Sequence, residues 1–231
     1  MGTLTNALTI AMTGLALYVV DKAIPPLLYS SITPDYDIET QAFQLMDTDE
    51  YVCDFPGDVQ SSAFSFLTLA HAVTMKYFEL GYNDCGTSQE EALQMRRGDC
   101  SETTFFTYAN FRHLVQRAKR PELMNLVREA SGTAEVDDIR GGHVWLEFWA
   151  NGHWYPYETT ENDLEADVII DPARIHDIID SEEVFANPDW DYTKIATVQN
   201  FGNGYFDRNI DWGEVMKSKG FFALLLDCFL R

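Results

Sequence analysis

The 231 residues carry 37 acidic against 16 basic side chains, a net charge of −21, and 46% of them are apolar. A chain of this length and apolar content buries a core in one domain or two small ones, which excludes a disordered polypeptide. Its charge excludes unaided binding to nucleic acid or to an anionic membrane surface, while a cationic peptide would be steered toward it. Aspartate (21) exceeds glutamate (16) and there are only six lysines, a balance that suits a protein living in high salt, where screening removes most self-repulsion.

The first twenty residues, MGTLTNALTIAMTGLALYVV, contain no charged side chain before Asp21 and Lys22. The densest part, Ala7 to Val20, falls short of the ~20 apolar residues of a spanning helix, although the whole run just reaches that length. Residues 1–29 are therefore expected to form an apolar segment. It would either contact a membrane through residues 1–20 or pack within a larger assembly. A cleaved signal peptide fits less well, because no Lys or Arg precedes the apolar stretch. Residues 30–60, with SSITPDYD and CDFPGD, read as an acidic, turn-rich linker.

Next, SSAFSFLTLAHAVTMKYFEL places Phe64, Leu67, Ala70, Thr74, Tyr77 and Phe78 near helical spacing, with Ser61 or Ser62 as N-cap and a stop at Gly81. His71 inside it reads as a core histidine. TSQEEALQM opens with a capping box from Thr87 or Ser88 to Glu90 or Glu91, predicting a short helix that ends by Gly98. After that break a helical pattern runs from Cys100 to the Lys119-Arg120-Pro121 stop, putting Cys100 at the first turn. Unpaired N–H groups and the positive end of the helix dipole there favour a thiolate, so a depressed thiol pKa is expected. The same N–H groups can stabilise an oxyanion.

Downstream, MNLVREA reads as a strand, SGTAEVDDIRGG as a polar loop, and HVWLEFWANGHWYPYE as a hairpin about Asn151-Gly152. Strand alternation puts Val144, Leu146 and Phe148 on one face and His143, Trp145, Glu147 and Trp149 on the other. Folding at Asn151-Gly152 returns position 158 to the neighbourhood of 144 and 145, so the Glu158 carboxylate can orient the His143 ring. Nucleophile, base and acid of a thiol triad are thus available in Cys100, His143 and Glu158.

The runs GDCSETT and HVWLEFWANGHWYPYETT resemble the transglutaminase-like core, a papain-related superfamily of cysteine peptidases and transglutaminases, over residues 61–160. The resemblance implies an α+β fold in which a helix-borne cysteine packs on an antiparallel sheet carrying the histidine and the acid. It implies Cys100 as nucleophile, His143 as general base and Glu158 as third member, where the family usually has Asp. Glu161 is a lesser substitute. The implied activity is acyl transfer on peptide, isopeptide or glutamine amide bonds, with hydrolysis favoured over crosslinking and no cofactor. Residues 161–231 become a C-terminal extension packed on the core. The competing expectation is a catalytically inactive structural or binding component of a surface layer, envelope or virion-like assembly.

Lesser signals complete the reading. Gln94 lies six residues before Cys100, where papain-like proteases place an oxyanion glutamine, and Trp145 is expected to border the site, so both are candidate substrate contacts. Cysteines 53, 85, 100 and 228 form no CxxC pair and no zinc-type spacing with histidine, so no metal site is expected. Cys53 and Cys85 could pair if the domain is exported. DRNIDWGE, Asp207 to Glu214, departs from a calcium loop at its glycine and closing position and reads as an acidic turn. GFFALLLDCFL, Gly220 to Leu230, reads as a packed terminal helix. The uncharged 1–20 run favours a membrane-associated or extracytoplasmic setting, or a surface assembly, over the cytoplasm.

Overall fold

The helices form where apolar spacing and capping residues place them. A computed structural model describes residues 36–51, 55, 57–81, 88–136, 139–160, 179, 190–200 and 206–211. Among the described residues there are four helices: α1 (Tyr36–Leu45), α2 (Val59–Tyr77), α3 (Gln89–Met95) and α4 (Cys100–Arg117). Two short strands, β1 (Glu79–Leu80) and β2 (Arg97–Gly98), pair in parallel. A 3-10 turn over Pro121–Leu126 leads into β3 (Val127–Val136), followed by β4 (Ile139–Ala150), β5 (His153–Tyr157), β6 (Asp191–Asn200) and β7 (Phe206–Ile210). These five strands form one antiparallel sheet in the order β5-β4-β3-β6-β7. The fold is mixed α+β.

Helix α2 is buried without interruption from Ser61 to His71, as expected of a helix enclosed by neighbours. It packs on α4, and α4 packs on β4. Phe64, Leu67, Phe106, Phe111, Leu146, Phe148 and Tyr157 meet in one core, with Phe64 edge-on to Phe148 at 5.4 Å between centroids. Each such side chain contributes about 1.5–3 kcal/mol through removal from water.

The cap of α2 is Asp58, whose Oδ1 accepts from Ser61 N–H at 2.9 Å, and not Ser61 or Ser62. An aspartate three residues ahead of a serine competes better for the free N–H because it is charged. Ser88 and Glu91 form the expected capping box of α3. The linker reading gives way over residues 36–50 to α1 and a 3-10 turn, Thr48–Glu50. This segment docks through polar groups: Glu39 pairs with Arg112 in a buried contact, and the Thr48 hydroxyl donates to Asn110 Oδ1 at 3.4 Å. Such tertiary partners are invisible to a local count of turn-forming residues.

The expected polar loop, 131–142, is mostly strand, because β3 is the central strand and its backbone groups are paired on both sides, by β4 and β6. The Asn151-Gly152 turn forms as expected, both residues taking positive φ (50° and 83°). Asp207 to Ile210, expected as part of an acidic turn, lie in β7. Among the described helices none is long and apolar enough to cross a membrane. The apolar 1–20 run, Cys53, Cys85, Glu161, Cys228 and the terminal apolar run lie outside the described residues.

Candidate active site

Cys100 is the first residue of α4, and the residues around it explain the Gly-Asp that precedes it. Asp99 is the N-cap: its Oδ1 accepts from Ser101 N–H at 2.9 Å, while Glu102 reaches back to accept from Asp99 N–H at 2.9 Å. A Cβ on Gly98 would stand 2.7 Å from Glu102 Cβ, so the capping glutamate fits only because residue 98 has no side chain. The helix start is therefore already served by two carboxyl groups.

Burial, and after it that arrangement, opposes the expected thiolate. Burial pushes the Cys100 thiol up to about 12, the Asp99 charge adds to it, the facing Val144 N–H opposes it, and Glu158 and Glu102 raise it further. A helix N-terminus lowers a thiol pKa only where its N–H groups and dipole are uncompensated, and here capping carboxylates intervene. Cys100 rests as a neutral, half-buried thiol. Burial likewise raises the Glu102 pKa, assisted by its neighbour Asp99.

The hairpin brings His143 and Glu158 together. Its register pairs Leu146 with Tyr157, so Glu158 follows directly and returns to the level of Trp145. His143 Nε2 lies 2.7 Å from Glu158 Oε2. A carboxylate only accepts, so the ring carries its hydrogen on Nε2 and leaves Nδ1 as the basic nitrogen. Tyr192 Oη donates to the same Oε2 at 3.0 Å. The other oxygen accepts from Thr159 N–H and Thr160 N–H, each at 2.9 Å, and from Thr160 Oγ1 at 2.7 Å. Burial alone would raise the Glu158 pKa, but the His143 hydrogen bond and charge and the Thr160 bonds outweigh it and hold it below the ordinary value. The extra methylene of Glu, relative to Asp, does not prevent contact.

An aromatic wall fixes the imidazole. Trp145 stacks on His143 at 5.8 Å and 16°, Trp190 meets it edge-on at 4.8 Å, and Tyr192 lies against both Trp145 and Trp190. Trp145 borders the histidine as expected, but at 1% exposure it backs the ring and has no surface to offer a substrate. Gln94 stands exposed on α3, with no hydrogen bond to Cys100 or His143. His71 is the core histidine expected: its ring nitrogens lie 3.1 Å from Tyr157 Oη and 3.1 Å from the Thr159 carbonyl. Burial lowers its pKa to about 4, so it is neutral.

Sequence reasoning missed Trp190, Tyr192, Thr160 and the hydroxyls of Thr104 and Thr159. A signal existed for the first two, since Trp190, Tyr192 and Lys194 alternate with Asp191 and Thr193 at strand spacing. Among the described residues, no group of three or more His, Cys, Asp or Glu side chains could hold a metal ion.

No family model matches the chain. No curated protein matches it either. Among solved structures, it is similar to "a Putative Cysteine Protease from Cytophaga hutchinsonii", at 14% identity and a TM-score of 0.35, covering 82% of this chain and 51% of that one. The chain thus spans about half the length of that protein, and a TM-score of 0.35 assigns neither fold nor activity.

Proposed function

We propose that the chain is a thiol-dependent acyl-transfer enzyme on a transglutaminase-like, papain-related core, with Cys100 as nucleophile, His143 as general base and Glu158 as orienting acid. The observation that carries this reading is the 2.7 Å His143–Glu158 hydrogen bond, made to a buried carboxylate with four further donors. Its charge is felt at the Cys100 sulfur. A carboxylate so provisioned, behind an imidazole with a free Nδ1, is the arrangement that fixes a tautomer for proton transfer.

Because the thiol rests neutral, the chemistry runs by general-base catalysis instead of a preformed ion pair. His143 Nδ1 takes the thiol proton as sulfur attacks the amide carbonyl, and the imidazolium then returns that proton to the departing amine. The resulting thioester is opened by water, regenerating the thiol and releasing a carboxylic acid. Glu158 stays ionised throughout and stabilises the imidazolium. We favour water over a lysine amine as acceptor, and the −21 charge would steer cationic peptides toward the enzyme.

One observation favours a second reading. The same burial that raises the Cys100 pKa suits an inactive descendant retained as a structural or binding component, with the uncharged 1–20 run as its attachment device. Incubating the full chain with a peptide-amide library, and separately with a glutamine peptide plus a primary amine, separates them. Turnover that disappears in Cys100→Ser and in His143→Ala supports the enzyme. Absence of Cys100-dependent turnover in both assays supports the structural component.

A further inference from the structure

One buried hydroxyl touches the three parts of the constellation at once. Thr104 lies one helical turn beyond Cys100, on the same side of α4. Its Oγ1 donates to the Val144 carbonyl at 3.1 Å, beside His143, and lies 2.7 Å from Thr159 Oγ1, beside Glu158. The Thr104 proton is used on the carbonyl, so Thr159 must be the donor in the second contact. Thr159 is then engaged at every polar group: its hydroxyl donates to Thr104, its N–H to Glu158 Oε1 at 2.9 Å, and its carbonyl accepts from His71 Nε2 at 3.1 Å. The Tyr157 hydroxyl donates to the remaining His71 nitrogen. Thr104 and Thr159 have no exposed surface, so water cannot replace a lost bond from outside.

We infer that Thr104 is a positioning residue that holds the nucleophile's helix, the base's strand and the acid's strap in a single geometry, an inference that rests on the triad reading above. A purely apolar residue of the same shape would pack α4 against the sheet equally well. What the hydroxyl adds is registry between Cys100, His143 and Glu158, because each of its two partners is the chain neighbour of a triad member. Displacements of the order of 1 Å cost roughly a hundredfold in reactions that need aligned groups.

The test reads the coupling between His143 and Cys100, since an overall rate could rise through loosening or fall through burial. Iodoacetamide labelling of the Cys100-containing peptide, followed by mass spectrometry at about pH 8, gives that rate in the full-length protein. The wild-type rate should exceed that of His143→Ala by about tenfold or more, as a positioned base supplies. In a Thr104→Val background the same ratio should fall to near one, and Thr104→Ser should restore it. Thr159→Val removes the hydroxyl that feeds Thr104 and should give the same collapse independently of how well Thr104→Val folds. A ratio that stays at its wild-type value in either folded valine variant, or one that Thr104→Ser abolishes, overturns the role of Thr104 and leaves the triad reading standing. A wild-type ratio of one removes the triad reading, and Thr104 with it.

Discussion

The two ends of the constellation are built on opposite terms. At the acid end, Glu158 is surrounded by five donors, the His143 imidazole among them, and its charged form is favoured despite burial. At the nucleophile end, Cys100 has one facing N–H, that of Val144, and carboxylates at Asp99, Glu102 and Glu158, so its charged form is disfavoured. On the proposed function, the contrast means that the fold invests its hydrogen bonds in orienting His143 and leaves the Cys100 sulfur to be activated only as the proton moves. A helix-start cysteine is therefore not by itself a thiolate. The cap decides.

The strongest way to break the comparison is to unbalance the acid end. Glu158→Gln keeps the size and most of the packing but cannot hold an imidazolium, so kcat on a peptide amide should fall by roughly two to four orders of magnitude. Unchanged turnover would transfer the orienting role to another group, Glu161 being the expected substitute.

A second variant sharpens the comparison through stability. The folded pKa of His71 is depressed from 6.5 to about 4, so between those values the unfolded chain binds a proton that the native state refuses. Stability conferred by neutral His71 is fully present above pH 6.5 and is lost as pH falls toward 4, by about 3 kcal/mol in all. Glu158 acts in a lower window: its pKa is depressed below 4.5, so its contribution is present above that value and lost only beneath it. Urea unfolding of His71→Gln between pH 4 and 7 should therefore lose the slope above about pH 4.5 and keep the acid loss below it. A wild-type slope retained in this variant would place the titration elsewhere.

The mildest change removes one donor of the five. Tyr192→Phe should cost about 1 kcal/mol in denaturant unfolding and lower turnover several-fold, well short of Glu158→Gln, because four donors remain on the carboxylate. A loss as large as that of Glu158→Gln would show that the tyrosine hydroxyl, and not the backbone cradle, holds the acid.

How much of this was legible in the sequence follows from how local each feature is. The Asn151-Gly152 turn fixes the hairpin register, and with it the meeting of Glu158 and His143, so that pair could be read from some fifteen consecutive residues. Cys100 at a helix start was equally local, set by Gly98 and the α4 pattern. The sixth strand was not, because β6 pairs with β3 across about sixty residues and brings Trp190 and Tyr192 to His143 from outside the recognised segment. Helix α1 was hidden for the same reason: Asp-rich, Pro-flanked sequence looks like a connection until Arg112 and Asn110 supply partners from α4. The state of the thiol was least legible of all, since it depends on burial and on Glu158, neither of which a reading of the helix start alone contains.

The central claim is that the site rests as a neutral thiol before an oriented base. Thiolate ultraviolet absorbance, taken as the difference between wild type and Cys100→Ser across a pH titration, tests it directly. The account predicts no thiolate attributable to Cys100 below pH 9, the ordinary value from which burial and the neighbouring carboxylates raise it, both with and without His143. A thiolate signal appearing below about pH 7.5 and abolished by His143→Ala would instead reveal a resting thiolate–imidazolium pair and contradict the account.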